Sequence, residues 1–116
     1  MDHLIGIAAR HGFSAINQTS KVICFASENG SIFYLIKDQI RGGSIAIAVN
    51  PQVEPETIQE FGGNPEVDET FLHNSNFRKF PKRQHRGINP IGYGRRTRFR
   101  NSLDFSNFLL NYNQPG

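Results

Sequence analysis

Val22-Ile23-Cys24-Phe25-Ala26-Ser27-Glu28-Asn29-Gly30-Ser31-Ile32-Phe33-Tyr34-Leu35-Ile36 decides the fold class. Two β-branched and aromatic runs, Val22–Ala26 and Ser31–Ile36, lie either side of Glu28-Asn29-Gly30. Asn-Gly between such runs is a strong hairpin signal, because a type I′ turn needs positive φ at both central residues. Downstream, Arg41-Gly42-Gly43 makes a second turn before Ser44–Val49. There Ile45, Ile47 and Val49 share one face, and Ala46 and Ala48 share the other. Small side chains on that second face allow close packing, so this strand is expected to be central. Asn50-Pro51 ends it, since proline has no N–H for the ladder. Upstream, Phe13–Asn17 supplies a first strand, and four strands joined by short turns read as an antiparallel meander.

Helices are expected at both ends. Asp2 is positioned to cap a short helix through Leu4, Ile5, Ala8 and Ala9, with Gly12 as its stop. Ser102 caps a closing helix, Leu103–Tyr112, with Asp104 in its first turn. Leu103, Phe105, Phe108, Leu109 and Tyr112 make its apolar stripe. Between them, 52–70 reads as an acidic loop holding one helical turn, with Ile58 and Phe61 as anchors. Phe71–Phe80 returns as a strand, Pro81–Gly94 is irregular, and Arg95–Arg100 alternates. The expected fold is α+β: an antiparallel β-sheet sandwich or meander with an N-terminal and a C-terminal helix, one domain over 1–116.

The length of 116 residues suits a single domain. Ten Phe and three Tyr are enough aromatics for a packed core and argue against disorder. Cys24 is the only cysteine, so no intramolecular disulfide forms, which fits a reducing compartment. Its apolar neighbours make it a buried, inert thiol. No apolar run approaches the roughly 18–20 residues of a membrane span, and no secretory signal stands at the N-terminus. A cytoplasmic protein is the expectation.

Charge is sorted along the chain. Nine of the thirteen basic residues are Arg78, Lys79, Lys82, Arg83, Arg86, Arg95, Arg96, Arg98 and Arg100, in a stretch without an acidic residue. Six of the ten acidic residues, Glu54, Glu56, Glu60, Glu66, Asp68 and Glu69, crowd just before it. In an extended Arg95–Arg100, the Arg96, Arg98 and Arg100 side chains line one face at steps of about 6.6 Å, while Arg95, Thr97 and Phe99 point inward. Such a row could track a phosphate backbone, with Tyr93 and Phe99 stacking on bases. It could equally meet carboxylates on a protein, or serve only to keep an edge strand soluble. Both signs together suit a protein contact better than a nucleic acid.

Catalytic chemistry has little support. His3, His11, His73 and His85 lack metal-ligand spacing and have no cysteine partner, so neither a metal nor a cofactor is expected. His73 and His85 beside Lys79 and Arg83 would suit ribonuclease acid–base chemistry only if they converge; ordinary surface imidazoles are the plainer reading. Gly92-Tyr93-Gly94 is too short for a phosphate loop, and no serine sits in a nucleophile motif.

Gly12-Phe13, Glu28-Asn29 followed by Phe33-Tyr34, Arg41 with Gly43, Ala48-Val49-Asn50-Pro51, Phe80-Pro81, His85 with Gly87-Ile88, and the Phe105/Phe108-Leu109 helix occur in order. In this the chain resembles the YgaC-like family of small bacterial cytoplasmic proteins of unknown function. The resemblance implies an antiparallel β-sheet sandwich with a few helices and supplies no activity. Tyr93–Arg100 is longer and more arginine-rich than its counterpart there. The function expected is a non-catalytic protein-binding module of the inhibitor or toxin-immunity type, with a charged protein partner such as a toxin. The alternatives are a nucleic-acid-binding protein using 78–100 and, more weakly, a small ribonuclease.

Overall fold

β2 (Val22–Ser27) and β3 (Ile32–Ile36) pair antiparallel with Cys24 opposite Tyr34 and Phe25 opposite Phe33. The computed structural model describes residues 1–66, 71–87 and 89–113. The hairpin is the expected one, but its turn is not type I′. Gly30 is left-handed at φ +89°, whereas Asn29 is not in the positive-φ region. Ser27 N–H donates to Ser31 O at 3.0 Å and Gly30 N–H to Ser27 O at 3.1 Å, so the loop has three residues with glycine at its left-handed position. The double positive φ falls instead on Gly42 (+57°) and Gly43 (+86°), between Arg41 and Ser44, which exchange both backbone hydrogen bonds. Two glycines tolerate that geometry with no Cβ penalty.

Strand order is β1-β2-β3-β4-β8-β5, all antiparallel, with β1 at Phe13–Gln18, β4 at Ile45–Val49, β5 at Asn64–Pro65 and β8 at Ile91–Phe99. β4 is central, as its two apolar faces required. β8 reaches further back than the alternating Arg95–Arg100 run suggested, and Arg100 lies just beyond it. Two further short strands, β6 (Leu72–His73) and β7 (Lys82–Arg83), pair with the first half of β8. Gly92 O accepts from Asn74 N–H at 3.0 Å and Tyr93 N–H donates to Pro81 O at 3.1 Å. Adjacent strand residues bond to opposite edges, so β6 and β7 flank β8.

The sheet is covered on both faces. On one, Ile23, Phe25, Phe33, Leu35, Ile45, Ile47, Val49 and Phe99 pack under α1 (Asp2–Arg10), α3 (Ser102–Tyr112) and Ile58 of α2 (Pro55–Glu60). On the other, Val22, Cys24, Tyr34, Ile36, Ala46 and Ala48 pack under Phe77 and Phe80. The segment Phe71–Phe80 is therefore a strand only at Leu72–His73; the rest turns back across the second face. Small residues make room for it. A Cβ on Gly92 would sit 2.7 Å from Phe77 Cβ, and one on Gly94 would sit 3.0 Å from the Phe80 ring. Gly92 and Gly94 alternate on β8 as Ala46 and Ala48 do on β4, so together they floor a slot for two phenyl rings.

The helix ends shift by a residue from expectation. Met1, not Asp2, holds the N-cap position of α1, and Asp2 lies in its first turn, favourable to the helix dipole. Asn101, not Ser102, caps α3: its side chain accepts from Asp104 N–H at 2.9 Å. Leu103 is 67% exposed and falls outside the apolar stripe, which comprises Phe105, Phe108 and Leu109 with Tyr112 packed partly against it.

Candidate interaction surface

β8 distributes its arginines by strand alternation. Register with β4 sets Phe99, Thr97 and Arg95 opposite Ile45, Ile47 and Val49, on the helix-covered face, and Arg98 and Arg96 opposite Ala46 and Ala48, on the second face. Lys82 stands opposite Gly92 and so shares that second face. Arg78 and Lys79 belong to the segment folded over it, where Lys79 N–H donates to the Tyr34 hydroxyl at 3.0 Å. Arg78, Lys79, Lys82 and Arg98 are exposed, and among the described residues none of them makes an ion pair. Arg96 is half-buried with its Nε 3.6 Å from Glu66 Oε1. Arg100, just before α3, is exposed and lies 3.5 Å from Asp104 in the helix's first turn, a contact worth little in water. Arg86 is exposed with a left-handed φ of 53°.

The acidic segment goes mostly to the opposite side. Ile58 anchors α2 against the helix-face core, which leaves Glu54, Glu56 and Glu60 exposed there. Glu66 alone reaches the arginines, because β5 sets it next to Arg96 on the second face. Asp68 and Glu69 lie outside the described residues, as does Ile88. The two charges separated along the sequence are thus largely separated by face.

Three of the expected contact residues are used internally instead. Arg95 is only 7% exposed; its Nη1 donates to Glu66 O at 2.6 Å and its guanidinium lies 4.8 Å from the Phe71 ring centre. Arg83 donates from Nε to His73 Nε2 at 2.8 Å while its guanidinium sits 4.6 Å from the Tyr93 ring and 4.8 Å from Phe71. Tyr93 is therefore half-buried between Phe71, His73 and Arg83. Phe99, at 1% exposure, cannot stack on a base. Arg95, Arg83 and Tyr93 pin β6, β7 and β8 together, and charge clustering in sequence gave no sign of it.

His73 and His85 do converge: their rings stack at 3.8 Å, only 6° from parallel. They are not two independent surface imidazoles. Burial, then the neighbouring His85 and Arg83 charges, lower the His73 pKa below its ordinary value, against a hydrogen bond to the Phe71 backbone. With Arg83 on Nε2 and the ring also bonded to Phe71, His73 is held as a structural acceptor. Among the described residues no group of three or more metal-ligating side chains forms.

A recess of about 390 Å³ opens beside the second-face core, lined by Ile16, Asn17, Cys24, Tyr34, Asn76, Arg78 and Lys79. Burial pushes the Cys24 thiol up and the Tyr34 phenol up to about 12, so neither is a nucleophile at neutral pH. A signal for this second face was present in sequence: small residues alternating on two neighbouring strands, Ala46/Ala48 and Gly92/Gly94, with large Phe77 and Phe80 between them in the chain. No described helix is long and apolar enough to cross a membrane. Comparison with protein-family models, curated proteins and solved structures gives no match.

Proposed function

We propose that the protein is a non-catalytic binding module that docks an acidic protein surface on its second sheet face, as an inhibitor or toxin-immunity protein would. The observation that carries this is the set of exposed cations, Arg78, Lys79, Lys82 and Arg98, seated on a packed core with the acidic α2 on the other side. A mainly cationic face speeds encounter with an acidic partner and disfavours basic ones. Arginine adds bidentate pairing to carboxylates. A toxin with an acidic contact surface fits as the partner, and the YgaC-like resemblance adds no activity that competes with this function.

Nucleic acid is the second reading, favoured by the same separation, since the exposed acids of α2 would not repel phosphates at the basic face. It is weakened because Phe99 is buried and Tyr93 is half-buried under Arg83, so neither offers a free ring face at the arginine row. A ribonuclease would need His73 free to exchange a proton, and Arg83 occupies that nitrogen. The deciding experiment is a pull-down from native lysate with and without nuclease, at low and high salt. A stoichiometric protein that survives nuclease and is lost with Arg98→Glu supports the proposal. Recovery of nucleic acid alone, with a steep salt slope, overturns it.

A further inference from the structure

We infer that the outer edge of β1 is a strand-addition site for an extended peptide segment that alternates apolar and acidic residues. The inference rests on the proposed acidic protein partner and names how that partner engages the sheet.

β1 ends the sheet, and among the described residues no strand pairs with its outer edge. Sheet proteins commonly guard such an edge with lysine, proline or inward charge. The β1 sequence, Phe13-Ser14-Ala15-Ile16-Asn17-Gln18, has none of these. Its one edge device is a bulge between Ala15 and Asn17, and that bulge leaves Ile16 without a register partner and 49% exposed, an apolar side chain at the edge. Five of its six residues are exposed, unlike any other long strand of the sheet.

Ile16 also lines recesses on both sides of the strand. A groove of about 840 Å³ is walled by Ile5 and Ala9 of α1, by Phe13 and Ala15 of β1, and by Glu28 at its hairpin end. The other recess, of about 390 Å³, carries Arg78 and Lys79 with the amides of Asn17 and Asn76. A strand laid along β1 sends successive side chains to opposite faces. One set meets aliphatic walls, where Glu28 disfavours a second carboxylate. The other meets two exposed cations that have no ion partner among the described residues. Main-chain hydrogen bonds would supply affinity and the two unlike recesses would supply specificity, the established logic of strand addition.

The test uses the full chain and a blocked eight-residue peptide alternating valine and glutamate, with a valine–lysine peptide as control. Binding is followed by calorimetry and by amide hydrogen exchange. The acidic peptide is expected to bind saturably and to slow β1 exchange, with the lysine peptide at least about tenfold weaker. Ile16→Pro disrupts the backbone at the exposed edge and should abolish binding; if that variant fails to fold, Ile16→Lys adds an edge charge at an exposed position and should do the same. Equal binding of both peptides, protection on β8 instead of β1, or self-association of the chain through β1 in sedimentation would each overturn the inference. A lysate partner kept by the folded Ile16 variant but lost with Arg98→Glu sinks the edge site and leaves the basic-face function standing. Loss of any acidic partner in the unmodified chain sinks the function itself.

Discussion

Arg83 Nε donates to His73 Nε2 at 2.8 Å, and a ring nitrogen that accepts cannot also carry a proton. The bond therefore requires neutral His73, and the stacked His85 ring at 3.8 Å would sit against any added charge. Burial together with these two neighbours is why the folded pKa lies below 6.5.

The pH dependence follows by linkage. A histidine depressed in the folded state binds fewer protons there than in the unfolded chain, so stability rises with pH across its titration. The contribution is complete above 6.5 and is lost as pH falls through the lower folded value. Chemical denaturation midpoints should drop between pH 7 and pH 5, and His73→Gln, which keeps an acceptor for Arg83 but does not titrate, should flatten part of that drop. A His73→Gln profile parallel to the original would show that His73 contributes nothing to it.

Gly92 and Gly6 predict opposite signs for one chemical change. A methyl at Gly92 meets the Phe77 carbonyl oxygen and lies 2.7 Å from its Cβ, atoms that cannot swing aside as a flexible side-chain end would. Gly92→Ala should cost at least about 2–3 kcal/mol by overpacking. Gly6 lies within α1, and a methyl added there would meet nothing within 4 Å, so Gly6→Ala should stabilise by about 0.5–1 kcal/mol. Thermal or denaturant melts of the two variants decide both.

The meander, the centrality of β4 and the inward–outward alternation over Arg95–Phe99 were legible because each rests on side-chain period, which the chain states directly; Arg100, expected to extend the row, lies beyond the strand. Ile58 and Phe61 were legible as anchors because they are isolated apolar residues in a polar stretch. The layer made by Phe77 and Phe80 was marked only by the alternating small residues beneath it, because its turns form against a surface contributed by residues far earlier, from Val22 to Ala48. The same holds for Arg83 and Tyr93, and for the partners of Arg95, whose inward direction alone the alternation showed. Their neighbours come from β6, β7, Glu66 and Phe71, and nothing local distinguishes an arginine laid over a ring from one in water. The double positive-φ turn went to Gly42-Gly43 and not to Asn29-Gly30, where only Gly30 is left-handed, because loop length, not the Asn-Gly pair alone, selects turn type.

Capping of α3 separates two adjacent polar residues. Asn101 accepts from Asp104 N–H at 2.9 Å, while Ser102 already lies inside the helix. Asn101→Ala should cost about 1 kcal/mol, and Ser102→Ala should be nearly neutral, since the N-cap side chain is the one that satisfies an orphan N–H. Because α3 supplies Phe105, Phe108 and Leu109 to the core, the loss should appear in the global unfolding transition and not only as fraying.

Arg95 and Arg98, three positions apart on one strand, should divide stability from recognition. Arg95 is buried, donates to Glu66 O at 2.6 Å and covers Phe71. Its removal strips a carbonyl of a charged donor and uncovers a ring, so Arg95→Ala should destabilise by about 2–3 kcal/mol. Arg98 is exposed on the opposite face and makes no ion pair among the described residues. Arg98→Ala should leave the melting curve within about 0.5 kcal/mol of the original. Its effect should appear instead in the association rate with an acidic partner, where removing one steering charge slows encounter most at low salt. Paired melts and stopped-flow association at two ionic strengths test the division, and an Arg98 variant that lost stability while keeping its on-rate would invert it.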